Sequence, residues 1–149
     1  LKLHGALANM ASEDETLARD LYEAALSVAP DLIIMVLSAT AQQDAAQSLG
    51  CKWAGEIFAD RAYNDNATLV DRSLPGAVIH DAALAGQRMV KMVQAGAIIT
   101  ESGKHIPAAI DTICLHGDTP EAVDIARSVK AALQDAGIAL KCFEGRTEA

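Results

Sequence analysis

Positive charge is in short supply in this chain: 12 Lys and Arg stand against 20 Asp and Glu, a formal net charge of −8. A nucleic-acid surface needs a basic face, and anionic membranes attract basic segments, so neither is a partner. No apolar run approaches the roughly 18 residues of a membrane span, and no secretory signal peptide opens the chain. The three cysteines, Cys51, Cys114 and Cys142, are odd in number and widely spaced, with neither CxxC nor zinc-ligand spacing. They read as reduced core thiols of a cytoplasmic protein. Walker A, GxGxxG, GxSxG and HExxH signatures are all missing, which removes the core residues of the nucleotide-fold, serine-hydrolase and zincin readings. Aromatics make up only 3% of residues, so the core must be built from small aliphatic side chains.

What is present suits one core. With 149 residues and 51% hydrophobic content, a single domain over 1–149 is the default. The chain opens at Leu1 directly on a strand-like Leu-Lys-Leu-His, so a fragment lacking an N-terminal part of its domain is expected.

Strand and helix signals alternate. Leu1 to His4 reads as a strand end, and Gly5 to Ala11 as a loop of small residues. Ser12 and Glu15 have capping-box spacing, predicting a helix that carries Leu17, Leu21, Ala24, Ala25 and Val28 to a stop at Pro30. Leu32 to Leu37 is a short apolar run of the kind covered on both faces. A helix over about Ala39 to Leu49 ends at Gly50, well placed for the left-handed conformation. Cys51 to Phe58 is the next strand. Ala59 to Pro75 has no periodicity, and a loop of that length is functional or disordered. Asp81 caps a helix that turns Leu84, Met89, Met92 and Val93 inward and closes at Gly96. Ala97 to Thr100 and His105 to Pro107 flank Glu101-Ser-Gly-Lys104 as a hairpin. Ile138 to Phe143 reads as a last strand and Glu144 to Ala149 as a fraying polar tail.

The organising stretch is Ile110-Asp-Thr-Ile-Cys-Leu-His-Gly-Asp-Thr-Pro120. Ile110, Ile113 and Leu115 want a core, His116 and Asp118 fall where the strand ends, and Thr119 with Pro120 are placed to open a helix facing Ala122, Ile125, Ala126, Val129 and Leu133 inward. The whole reads as an α/β fold of parallel strands alternating with helices, in which ligands sit outside the carboxyl ends of the strands. Three polar clusters fall there: Lys2, His4 and Asn9; Glu56, Asp60, Arg61 and Tyr63; Asp111, His116 and Asp118. Taken singly, a histidine is more often structural and an Asp–Arg pair is more often an ion pair than a clamp. Gathered on one rim, they divide acid, base and charge-stabilising duties.

Four separated motifs carry a resemblance: Lys2-Leu-His-Gly-Ala-Leu-Ala-Asn9, Glu56-Ile-Phe-Ala-Asp-Arg-Ala-Tyr63, Leu74-Pro-Gly-Ala-Val-Ile79 and Asp111 to Pro120. Together, and in order through nearly the whole chain, they resemble the LamB/YcsF family, which provides the A subunit of bacterial ATP-dependent 5-oxoprolinase. The resemblance implies part of a seven-stranded, deacetylase-like β/α barrel. It also implies hydrolysis of 5-oxoproline to L-glutamate with ATP and Mg2+, and with subunits B and C as partners. Leu3 and Ala8 stand where the family has Pro and Tyr, and its N-terminal acidic segment and histidine-bearing loops have no counterpart here. The catalytic residues then expected are Lys2, His4, Asp60, His116 and Asp118, with Asn9, Glu56, Arg61, Tyr63 and Asp111 contacting substrate and no resident metal. The competing readings are a metal-dependent deacetylase-like hydrolase and a non-catalytic binding module.

Overall fold

A computed structural model describes residues 1–147. Its centre is β2 (Trp53–Phe58), all six of whose residues are buried. Parallel to it on one side runs β1 (Ile34–Leu37), paired from Ile34↔Trp53 to Leu37↔Glu56. On the other side runs β5 (Thr112–Cys114), also parallel, paired from Glu56↔Thr112 to Phe58↔Cys114. A strand buried throughout needs apolar or paired side chains on both faces, which Trp53, Ala54, Ile57 and Phe58 supply. At Gly55 even a methyl group is excluded, because a Cβ there would run into the Ala109 carbonyl oxygen and Ser38 Oγ. Among the described residues the remaining two strands, β3 (Ala97–Ile99) and β4 (His105–Pro107), form the separate antiparallel hairpin that the sequence predicts.

Among the described residues five helices cover the sheet. α1 (Gly5–Glu13), α2 (Glu15–Val28) and α3 (Ala41–Ser48) pack together over a core of Ala18, Tyr22, Ile34, Val36, Ala45 and Trp53. α4 (Ala82–Ala95) and α5 (Ala122–Asp135) pack on each other over the larger core of Ile57, Met89, Met92, Ile98, Ile125 and Val129. Gly86 permits that approach, since a Cβ there would stand 3.0 Å from Ser128 Oγ. Several sequence signals act as read: Asp81 accepts from Leu84 N, and Gly50 and Gly96 adopt left-handed φ of 60° and 57°.

Other elements differ from expectation. Residues 5–11 are helical, because Ala, Leu and Met have high intrinsic helix propensity and outnumber the weaker formers Gly5 and Asn9. The next helix is therefore capped by Asp14, which accepts from Leu17 N, while Ser12 is buried and its hydroxyl donates to the Asn9 carbonyl. Leu84 is exposed, its place on the first turn of α4 turning it away from the core. Thr119 does not cap α5. The helix begins two residues past Pro120, after a turn in which Ala122 N donates to the Thr119 carbonyl, and its N-cap Glu121 makes no side-chain cap bond. Residues 138–143 form no strand, because none of the described strands runs beside them, and Leu140, Cys142 and Phe143 are exposed. The tail does not simply fray: Arg146 pairs antiparallel with Trp53, backbone to backbone in both directions. Its end, 148–149, lies outside the described residues. The aperiodic 59–75 segment is packed over its first part, with Ala59, Asp60, Arg61, Ala62, Tyr63, Ala67 and Val70 buried, while 71–75 are exposed.

Candidate active site

The chain's first residues run parallel to β1 through a Lys2↔Met35 bridge, and the long Lys2 side chain reaches from there toward the sheet's carboxyl end. There its Nζ stands 2.6 Å from Glu56 Oε2 and donates to Cys114 Sγ at 3.2 Å, so residues from three separate chain segments meet at one ammonium. The same nitrogen lies 5.1 Å from the centre of the Phe58 ring, within cation–π range. Burial works against the charge on Lys2, but the hydrogen bond and the charge of Glu56 outweigh it and hold the ammonium's pKa above the ordinary lysine value. Burial, with Glu56 adding to it, pushes the Cys114 thiol up, so it stays neutral beside Lys2.

The second half of the site forms against the same aromatic ring. His116, two residues beyond β5, stacks on Phe58 with ring centres 5.4 Å apart and planes 23° from parallel. Its Nδ1 lies 2.8 Å from Oδ2 of Asp60, a carboxylate that is almost fully buried. An ionised carboxylate only accepts hydrogen bonds, so against it Nδ1 is the donor, and in the uncharged ring Nε2 is then the acceptor. A histidine oriented in this way by a carboxylate is equipped to take a proton from water or return one to a leaving group.

The remaining candidates spread out around this centre. Asn9 lines a small pocket of about 30 Å³ with Lys2, Glu56 and Phe58. His4, exposed, occupies the N-cap position of α1 without a side-chain cap bond. Asp118 is exposed at the rim, where Arg72 Nη1 at 3.3 Å holds its carboxyl below the usual range. Arg61 points away. Its Nη2 donates to the Val70 carbonyl at 2.6 Å and its Nε to that of Ala77 at 3.3 Å, which ties down the 59–78 segment. Tyr63 is wholly buried, and its hydroxyl accepts from Phe58 N at 2.7 Å, supporting the ring that Lys2 and His116 share. Asp111 is not at the carboxyl end at all. It precedes β5, accepts from Gly55 N at 2.9 Å, and pairs with Arg146 Nε at 2.8 Å at the opposite end of the sheet.

Sequence reading missed Phe58 as the common surface of both pairs, and Cys114 as more than a core thiol. The available signal was position, since Phe58 and Cys114 are the last residues of two adjacent strands. Among the described residues no three His, Cys, Asp or Glu side chains are grouped so as to hold a metal ion, and no helix is long and apolar enough to cross a membrane.

Residues 1–148 match the model of the LamB/YcsF family. The chain belongs to that family. It is 67% identical over 144 residues to the 5-oxoprolinase A subunit of Ruegeria pomeroyi, covering 97% of this chain and 57% of that protein. A namesake from Rhodopseudomonas palustris is 49% identical over 146 residues, 98% of this chain and 58% of the relative. The crystal structure of a lactam utilization protein from Thermus thermophilus superposes with a TM-score of 0.82 at 34% identity, across 95% of this chain and 56% of that one. This LamB/YcsF chain thus spans rather more than half the length of these relatives, and it shares its α/β fold with the Thermus thermophilus protein.

Proposed function

We propose that this chain supplies part of the site at which the A subunit of a 5-oxoprolinase opens 5-oxoproline to L-glutamate, in an ATP-dependent reaction with subunits B and C. The observation that carries the proposal is the convergence of a Lys2–Glu56 pair and a His116–Asp60 pair on the ring of Phe58, at the sheet's carboxyl end. The relatives' names add the substrate: some are called 5-oxoprolinase subunits, another a lactam utilization protein.

A five-membered lactam is an unstrained, resonance-stabilised amide, so opening it needs help at both the carbonyl and the nitrogen. His116 provides proton transfer. With Nδ1 held by Asp60, Nε2 takes a proton from the attacking water and hands it to the departing lactam nitrogen. Lys2 presents a fixed cation toward negative charge developing on the carbonyl oxygen, while Glu56 keeps the ammonium charged and oriented. Asn9, in the same pocket, offers an amide donor and acceptor for a polar substrate edge. His4 and Asp118 stand at the rim, where they border an entering substrate.

The residues of this chain do not fit the triphosphate of ATP. The Lys2 ammonium already has its partner in Glu56, and Asp60 adds a second carboxylate nearby, so the cluster has no surplus positive charge for a polyanion. We place the nucleotide and its magnesium on the additional length that the relatives possess, or on the partner subunits. The test is 5-oxoproline-dependent ATP hydrolysis by the full-length protein mixed with B and C. His116→Ala lowers turnover roughly 10²-fold or more if the imidazole transfers protons. An unchanged rate removes His116 from the reaction, and no turnover by the unmodified complex defeats the reading itself.

A further inference from the structure

Asp60 reaches His116 from a stretch that leaves β2 and has no regular structure of its own. A carboxylate that orients a proton-transferring imidazole must be held to a fraction of an ångström, because misplacement by about 1 Å costs on the order of 10²-fold in rate. Backbone hydrogen bonds account for part of that rigidity. Ala59 N donates to the Cys114 carbonyl at 3.1 Å, joining the stretch to the end of β5, and the Asp60 carbonyl accepts from Ile79 N at 2.9 Å.

The carbonyls on either side of Asp60 are held by a single side chain from a different element. Arg88, on the face of α4 toward this segment, donates from Nη1 to the Ala59 carbonyl at 3.3 Å and from Nη2 to the Arg61 carbonyl at 3.1 Å. Three successive carbonyls, 59 to 61, therefore all have donors, and Arg88 supplies the outer two. Among the described residues Arg88 forms no ion pair, although burial works against its charge and Asp60 attracts it through space. Keeping a half-buried guanidinium without a contacting carboxylate is costly. What the planar fork offers in return is a span across two acceptors from residues either side of Asp60, which the single nitrogen of a lysine cannot match.

We propose that Arg88 is a positioning residue for the Asp60–His116 pair. It clamps the peptide units flanking Asp60 so that the carboxylate meets Nδ1 of His116. The proposal rests on the reading that this pair serves lactam opening, and its test separates the two. In the full chain, the Nδ1–H proton of His116 is followed by NMR in the parent protein, in Arg88→Lys and in Arg88→Ala, alongside far-UV circular dichroism. 5-Oxoproline turnover with B and C is measured in parallel. The expected result is an unchanged circular dichroism spectrum, loss of the Nδ1–H signal to solvent exchange in both variants, and turnover lowered roughly 10²-fold. Lysine retains the charge yet fails to restore either readout. Retention of the Nδ1–H signal in both variants overturns the inference whether or not the complex opens 5-oxoproline. Loss of the fold in both also overturns it, since Arg88 then belongs to the scaffold alone. A parent complex without turnover defeats only the proposed reaction, and the NMR comparison still decides the role of Arg88.

Discussion

Removing one member of the Lys2–Glu56 pair is predicted to cost far more than removing both. The two groups are 2.6 Å apart, and their side chains are only 23% and 7% exposed. At that separation and an effective dielectric constant of about 20, their attraction is about 6 kcal/mol, set against a desolvation penalty of several kcal/mol per ion. The net worth of the pair is thus small, whereas an unpartnered survivor retains its penalty. Glu56→Gln alone leaves the Lys2 ammonium half-buried beside a neutral amide and destabilises the fold by about 3 kcal/mol, at the lower end for a buried pair because Lys2 retains some water. Lys2→Met alone strands a carboxylate in the more buried position and costs at least as much. The double variant returns to within about 1 kcal/mol of the parent, so the coupling, which is the summed cost of the two singles less that of the double, is about 5 kcal/mol. Urea unfolding reads all four corners of the cycle. With a slope near 2 kcal/mol per molar, each single variant lowers the midpoint by about 1.5 M. Additive singles, with coupling below about 0.5 kcal/mol, would show that solvent screens the pair despite its burial and refute the reasoning.

Other perturbations probe the scaffold and its far end. Gly55→Ala drives a methyl group into the Ala109 carbonyl and Ser38 Oγ in the middle of the buried central strand, so thermal unfolding should show a loss of more than about 3 kcal/mol, or no folded protein. Tyr22 is held protonated far above the ordinary tyrosine value, by burial and by the nearby Cys51. In the unfolded chain it ionises at its ordinary value, so its contribution to stability is complete at neutral pH and is lost as pH climbs from about 10 toward the raised folded-state value. Tyr22→Phe should flatten that alkaline limb in denaturant titrations, and an unchanged slope would assign it elsewhere. Arg146→Ala breaks a half-exposed pair with Asp111 at the far end of the sheet; its cost should stay within about 1 kcal/mol, and the proposed turnover with B and C should not change. A large loss of turnover would show that the amino end of the sheet takes part after all.

Local signals were the legible ones. Asp81, Gly50 and Gly96 punctuate helices through their own side chain or φ, and the buried run ending at Phe58 can only be a covered strand. Lys2, Glu56, Asp60 and His116 were legible as polar groups at strand ends. Asp111 was misplaced because it lies before its strand, one residue from Thr112, and no pattern in the sequence says where a three-residue strand begins. Arg61 and Tyr63 read as site residues because Arg and Tyr are chemically versatile, but their polar atoms serve the backbone at Val70, Ala77 and Phe58. Residues 138–143 have strand composition, yet composition cannot supply the neighbour whose backbone a strand requires.

By itself, the sequence determined the alternation of strand and helix, the acidic surface and the family, because each depends on short-range pattern or on motifs kept in order. Tertiary structure alone decided that Lys2 would find Glu56 and Cys114, that Asp60 would turn to His116, and that Phe58 would lie against both pairs. Those contacts join residues more than fifty positions apart, and only parallel pairing of β1, β2 and β5 brings their ends to one edge.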